Sequence, residues 1–235
     1  MLRQASAFAE GLEEDLMTPD PGNLAERLEV CHAAAVHDVL RAMGHGNCVL
    51  PTAIKALDPS HRLAGEIYTV SGNVDVTRSA HDTLLAWTGL LSKAPAGRVL
   101  VCQPNTHAIA LMGELSAETL HFRGVRGYVV DGGCRDTDSI LQLGFPVFCS
   151  FTTPRDIVGQ WVPERFGEPV TIGDVTVESG DWLLGDRDGV VVIPGAIVAD
   201  VVTRTEAVLQ TENKVRTAIL SGMDPQQAYL AYGKF

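Results

Sequence analysis

The residues able to do chemistry concentrate in two short segments, Gly113-Glu114-Leu115-Ser116 and Asp131-Gly132-Gly133-Cys134-Arg135-Asp136. The second follows directly on the apolar run Tyr128-Val129-Val130. Charges leaving a buried, parallel-type strand stand where open α/β sheets place ligands, at strand carboxyl ends. Gly132 and Gly133 read as a tight turn that leaves open space before Arg135 and Asp136. In the first segment a glycine and an acid open a helix, whose first N–H groups can hold a carboxylate. Together the segments offer acids for a hard cation, an arginine fork for a carboxylate, and free N–H donors. Mg2+ or Mn2+, bound by one or two acids with waters and substrate oxygens, suits such a set. A plainer alternative stands beside it: Asp136 only caps a helix over 137–143, and Arg135 is a surface charge.

Other chemistries lack their residues. The chain has no GxxxxGK[ST] phosphate loop, no GxSxG elbow and no HExxH, and its GHGN follows a helix where a strand would be needed. His32 and His37, five apart, fall on different helix faces and make a poor metal pair. None of the four lysines, Lys55, Lys93, Lys214 and Lys234, lies in an apolar strand, which argues against Schiff-base chemistry. The GDRDG segment at 185–189 resembles a metal loop in isolation, but between two strand-like runs it reads as a hairpin turn. The five cysteines form no CxxC and sit among apolar residues, as buried free thiols of a reducing compartment do.

The elements that must position these segments follow from the apolar pattern. A helical arm is expected over 1–22, bounded by Pro19, Pro21 and Gly22. A helix over 23–43 repeats Leu24, Leu28, Cys31, Ala35, Val39 and Leu40, and ends at Gly44 and Gly46. Further helices are predicted near 75–91 and 107–123. GRVLVCQ, GYVVDG and FPVFCSF read as buried strands, and 169–194 reads as an antiparallel meander. A long charged helix over 194–222 and a short helical tail close the chain. The order indicates a single α/β domain with a mixed or two-sheet core, divided into an arm (1–22), a core (23–194) and a helical extension (195–235).

With 235 residues, 46% hydrophobic and 20% charged, the chain is an ordered globular protein. No segment approaches the roughly 20 apolar residues of a bilayer span, and the acidic N-terminus lacks a signal-peptide core, so a cytoplasmic protein without membrane contact is expected. A net charge of −11 opposes phosphate backbones, so no nucleic-acid partner is expected. An anionic substrate would need a local metal or arginine to overcome that field.

Glu114, twenty intervening residues and Arg135-Asp136 together resemble the acid-x20-Arg-Asp signature of class II pyruvate aldolases. These are the 4-hydroxy-4-methyl-2-oxoglutarate and 4-carboxy-4-hydroxy-2-oxoadipate aldolases of the RraA-like superfamily. The resemblance extends through HDVLRAMG, LAGEIYTVSG, GVRGYVVDGGCRD, LGFPVF, SGDWLLGDRDGVVVIP and the final YGKF. It implies a swivelling β/β/α-type sandwich assembled as a homotrimer or a pair of trimers. It also implies Asp136 as the direct metal ligand, Arg135 as the grip on the pyruvyl group, and Glu114 as the acid holding a metal-bound water. The N–H groups of Leu115 and Ser116, opened by Gly113, match the donors for the substrate carboxylate. Glu212 matches an acid contributed across the subunit interface to the metal's outer shell; its plain alternative is a solvated charge beside Lys214 and Arg216. Two departures stand out. The acid at 114 is usually Asp, and AGRVLVCQPN replaces PGDVLVVD, with Gln103 and Asn105 expected to leave the pocket less negative.

The implied activity is a divalent-metal-dependent lyase that cleaves a 4-hydroxy-2-oxo acid to pyruvate and a second oxo compound. It runs through a metal-stabilised pyruvate enolate, with oxaloacetate decarboxylation as a side activity. Arg155, Arg165 and Arg187 are candidates for a second substrate carboxylate. Two alternatives remain: a non-catalytic RraA-type inhibitor of an RNA-degrading endonuclease, and a different metal–enolate lyase or hydratase. In the inhibitor branch the residue after the arginine is not acidic and the long C-terminal helix is missing; here Asp136 follows the arginine and a long C-terminal helix is expected.

Overall fold

A computed structural model describes residues 23–235; the arm expected over 1–22 lies outside the described residues. The three runs expected as buried strands lie side by side and parallel, as β3 (Val99–Gln103), β5 (Gly127–Cys134) and β6 (Val147–Thr152). On the far edge of β3 runs the 12-residue β2 (Leu63–Val74), also parallel. Its other edge carries β7 (Trp161–Phe166) and β10 (Trp182–Asp186), both antiparallel. β10 turns back at Arg187-Asp188 into β11 (Gly189–Ile193), while the short β1 (Lys55–Ala56) pairs with β6 and β4 (Ala110–Met112) with the end of β5.

The stretch leading into β1 joins the two ends of this nine-stranded sheet. Leu50 N–H donates to Val190 O (3.0 Å) and Val192 N–H to Cys48 O (2.8 Å), then Leu57 N–H reaches Val147 O (2.8 Å). The sheet is thereby nearly closed, which removes exposed edges. Ile67, Val101, Val129 and Phe148 fill its interior, covered by the separate hairpin β8 (Val170–Ile172)–β9 (Val175–Val177). Alternation sends Tyr128 and Val130 to the opposite face, where α3 (Ala80–Lys93), α4 (Glu114–Phe122) and α5 (Thr137–Leu143) pack. A third apolar cluster lies under α1 (Leu24–Glu29), α2 (Ala33–Ala42) and the long α6 (Val198–Leu220), which α7 (Pro225–Tyr232) follows. Each fully buried Val, Leu or Phe contributes about 1.5–3 kcal/mol to these clusters.

The α/β class and the long C-terminal helix are as read from the sequence, and several element boundaries are not. The single helix expected over 23–43 is α1 and α2, broken at residues 30–32. Arg62 takes the carbonyls freed there, Nε to Glu29 O (2.6 Å) and Nη2 to Cys31 O, while Asp186 Oδ2 accepts Ala33 N–H (2.8 Å). α3 starts at Ala80, later than the 75–91 expectation, because β2 runs to Val74 and Ser79 Oγ caps Asp82 N–H (3.1 Å). The helix expected over 107–123 divides into β4 and α4. The meander over 169–194 is interrupted: β9 ends its own hairpin, and β10 crosses to β2. Among the described residues no helix is long and apolar enough to cross a membrane.

Candidate functional site

β4 and β5 are parallel neighbours, with Met112 opposite Cys134, so both end at the same level. Each passes directly into a helix: β4 through Gly113 into α4, β5 through Arg135-Asp136 into α5. Arg135 N–H donates to Met112 O (2.9 Å), locking the two exits together. The two segments singled out in the sequence thus meet at strand carboxyl ends.

Gly132 and Gly133 form no turn; β5 continues through them to Cys134. A Cβ on Gly133 would stand 2.7 Å from Ile109 O and from the Phe151 ring. Glycine there lets the chain leading into β4 approach β5, where Gly133 N–H donates to Ile109 O (3.1 Å). Close approach, not chain reversal, is its role.

The turn falls instead on Asp136, in the left-handed region at φ 53°, ψ 39°. This conformation is uncommon for a residue with a Cβ, though Asp tolerates it better than most. Asp136 occupies the N-cap position of α5, but its side chain makes no cap bond to that helix. The carboxylate points across to α4, where Oδ2 accepts Glu114 N–H (3.2 Å). A Cβ on Gly113 would lie 2.6 Å from that same oxygen, so glycine at 113 keeps the cradle open.

Arg135 lies between two acids, its Nε 3.4 Å from Asp136 Oδ2 and its Nη1 donating to Asp156 Oδ2 (3.2 Å). Asp156 is fixed in turn by Val158 N–H, which donates to Oδ1 (3.1 Å). The three side chains are 36–41% exposed, so these ion pairs are weak enough for a ligand to displace. Asp156 was missed in the sequence, although TTPRD follows a buried strand just as GCRD does. Trp87 was missed too: its Nε1–H donates to Ser116 Oγ (2.9 Å) and ties α3 to the first turn of α4. The Cys134 thiol, beside Arg135, is buried; its hydrogen bond with Cys149 and its desolvation push its pKa far up, leaving a neutral group.

These residues line one cavity of about 370 Å³, shared by Gly113, Glu114, Leu115, Ser116, Arg135, Asp136 and Asp156. Its other wall is Leu84, Trp87, Leu91, Met112, Ile157 and Val158. No lysine lines it, and neither do Arg155, Arg165 or Arg187. Gln103 and Asn105 do not moderate its charge as expected: Gln103 donates to Asp131 (3.2 Å) and Asn105 to Gly72 O (2.9 Å), away from the cavity. The GDRDG segment is the β10–β11 turn, where Asp186 accepts Asp188 N–H (2.9 Å). Glu212 is not brought to Arg135 within the chain. It lies on α6, 3.4 Å from Lys234 Nζ, in a separate groove with Val215, Ile219 and Phe235.

Carboxylate oxygens suit Mg2+ or Mn2+, and the uncovered Asp136 carboxylate beside Glu114 fits such an ion. Among the described residues no three His, Cys, Asp or Glu side chains cluster as a metal cage. A cation at Asp136 would therefore complete its shell with water and ligand oxygens.

The chain belongs to the RraA-like family, whose Aldolase/RraA description matches residues 33–192. It is 30% identical to protein DlpA of Legionella pneumophila over 92% of its own length, and spans 34% of that longer relative. It is 25% identical to a Halalkalibacterium halodurans protein named "Putative 4-hydroxy-4-methyl-2-oxoglutarate aldolase", over 77% of this chain and 83% of that one. Among solved structures it is similar to Streptomyces coelicolor RraAS2, described as an unusual member of the RNase ES inhibitor RraA family. The TM-score is 0.75 and the identity 28%, over 85% of this chain and 98% of that one. The family thus joins proteins named as aldolases with proteins named as RNase inhibitors.

Proposed function

We propose that this protein is a divalent-metal-dependent aldolase that releases pyruvate from a 4-hydroxy-2-oxo acid, and that oxaloacetate decarboxylation is its side activity. One observation carries the reading. Asp136 adopts a left-handed backbone and, instead of capping its own helix, turns its carboxylate into the cradle kept open by Gly113. A residue with only a capping role would bond α5. The aldolase-named relatives support the same conclusion.

Asp136 would bind the cation directly and Glu114 through water, and the bound ion would stabilise negative charge building on the substrate's C2 oxygen. The substrate carboxylate lies against the N–H groups of Leu115 and Ser116, in the first turn of α4. Arg135 exchanges Asp156 for the pyruvyl oxygens and gives them a planar, bidentate partner. Glu114 takes the C4 hydroxyl proton through a water. The C3–C4 bonding electrons then move to C3 and its conjugated oxygen as the second oxo compound leaves. Returning the proton to C3 yields pyruvate. The assembly is a homo-oligomer, trimer or hexamer, in which Glu212 of one subunit serves the site of another.

The test is pyruvate release from a panel of 4-hydroxy-2-oxo acids. EDTA should abolish it, Mg2+ or Mn2+ should restore it, and borohydride with substrate should leave activity intact. No release from any substrate with either metal, or a borohydride-trapped lysine adduct, refutes the metal-dependent aldolase.

A further inference from the structure

Two acids share one guanidinium at the exits of β4 and β5, and they hold it differently. Arg135 Nη1 donates a hydrogen bond to Asp156 Oδ2 (3.2 Å), whereas its Nε stands 3.4 Å from Asp136 Oδ2 without forming one. Asp156 is the anchored partner. Val158 N–H donates to its Oδ1 (3.1 Å), and the loop that carries it is pinned on both sides. Ala110 N–H of β4 donates to Arg155 O (2.8 Å), and Gly159 N–H donates to the hydroxyl of Thr83 (3.0 Å), a fully buried residue of α3. The Asp136 carboxylate is held less. It takes Glu114 N–H on Oδ2 (3.2 Å), the same oxygen that Arg135 approaches. A cation bound through that oxygen competes with the guanidinium for it. All these contacts are made within one chain, whatever a neighbouring subunit adds to the cavity.

A guanidinium can offer a carboxylate two parallel N–H bonds, a geometry that Arg135 has not taken up on Asp136. With no charge at 156, Asp136 would be the remaining acid of the pair and Arg135 would close on it. Building on the metal-dependent reading, we infer that Asp156 is a positioning residue for the metal site. It holds Arg135 off Asp136, so that the Asp136 carboxylate stays open to a divalent cation. It acts through Arg135, not through its own charge. An anionic ligand can still take the fork from Asp156, because both side chains are part exposed.

Mn2+ alone, titrated into the intact chain in its assembled form and followed by the electron paramagnetic resonance of the free ion, tests this without turnover. The affinity in question is the one that Asp136→Asn abolishes. Asp156→Asn keeps the size of the side chain and an oxygen for Val158 N–H, but drops the charge. Circular dichroism and native mass confirm fold and assembly. Asp156→Ser, whose hydroxyl can also take that N–H, replaces it should Asn misfold. Asp156→Asn should bind Mn2+ more weakly. The loss should be about fivefold or more larger with Arg135 present than in an Arg135→Gln background, the scale of one part-exposed ion pair that the cation must break. Equal losses in the two backgrounds would show that Asp156 acts only as a charge, and overturn the inference, as does wild-type affinity in folded Asp156→Asn. Absence of any Asp136-dependent Mn2+ binding in the wild type overturns it together with the metal-dependent reading. If the coupling is found but no 4-hydroxy-2-oxo acid yields pyruvate, the aldolase reading falls and the positioning role stands.

Discussion

Replacing Gly113 by alanine tests the cradle with one methyl group. Gly113 has φ −144° and ψ 179°, extended backbone that alanine adopts without strain. The new Cβ would stand 2.6 Å from Asp136 Oδ2 and 3.2 Å from Arg135 Cγ and Nε. An ordinary contact needs about 3.5 Å, so the carboxylate must retreat by roughly 0.9 Å. It lies at the end of a 41% exposed side chain and can swing into solvent. The fold therefore loses little, about 1 kcal/mol or less, the scale of the one exposed bond to Glu114 N–H. The site loses more. Displacing a ligating or orienting group by about 1 Å costs on the order of a hundredfold in rate. Gly113→Ala should accordingly melt within a few degrees of wild type, bind Mg2+ at least tenfold more weakly, and release pyruvate on the order of a hundredfold more slowly. Thermal denaturation, metal titration and coupled detection of pyruvate measure the three quantities separately. Wild-type metal affinity and turnover in a folded Gly113→Ala would refute the claim that Asp136 works from this cradle. A large stability loss would mean that the carboxylate cannot move as argued.

Asp136→Asn should keep the fold, because Asn tolerates the left-handed backbone, yet lose metal-dependent activity by about a hundredfold or more; retained activity would reinstate a purely structural Asp136. Arg135→Lys should also fail in turnover with an unchanged melting temperature, since an ammonium cannot give a planar ligand the bidentate fork of the guanidinium. Asp131 is partly buried, which raises its carboxyl pKa, but donors from His107 (2.9 Å), Gln103 (3.2 Å) and Ser150 (3.1 Å) outweigh that desolvation and hold it below the ordinary 3.8. Its stabilisation is thus present above that unfolded value and lost as pH falls through the depressed native one. Asp131→Asn should be less stable than wild type in urea at about pH 6 and converge with it as the pH falls below the depressed native value, whereas a constant difference would refute the linkage. Asp136→Ala and Glu212→Ala, each weakly active alone, should regain activity when co-refolded into mixed oligomers verified by mass; no recovery would place Glu212 outside the neighbouring site.

What the sequence conveyed depended on how local each cause was. The three parallel strands were legible because both faces are buried, which leaves continuous apolar runs in GRVLVCQ and FPVFCSF. The break between α1 and α2 was not, since Arg62 and Asp186 impose it from 33 residues and 153 residues away. β4 escaped notice because three residues carry too little alternation to distinguish a strand from the start of a helix. Asp136 illustrates the limit within the site. An acid just ahead of a helix reads as a cap, and only its φ and the direction of its carboxylate separate that role from service to α4.

The spacing from Glu114 to Arg135-Asp136 has a structural meaning that the residues alone do not announce. The twenty intervening positions comprise eight further residues of α4, a four-residue connection and the eight residues of β5. They are the second half of a crossover that leaves β4, passes through α4 and returns parallel beside it on β5. Glu114 stands where the crossover departs, and Arg135-Asp136 stand where its returning strand ends. Because β4 and β5 are adjacent and parallel, those two points coincide in space although a whole helix and strand separate them in sequence. Adding one residue to β5 would turn Arg135 and Asp136 to the opposite face of the sheet, away from Gly113. The interval is therefore the geometry of the candidate site written along the chain.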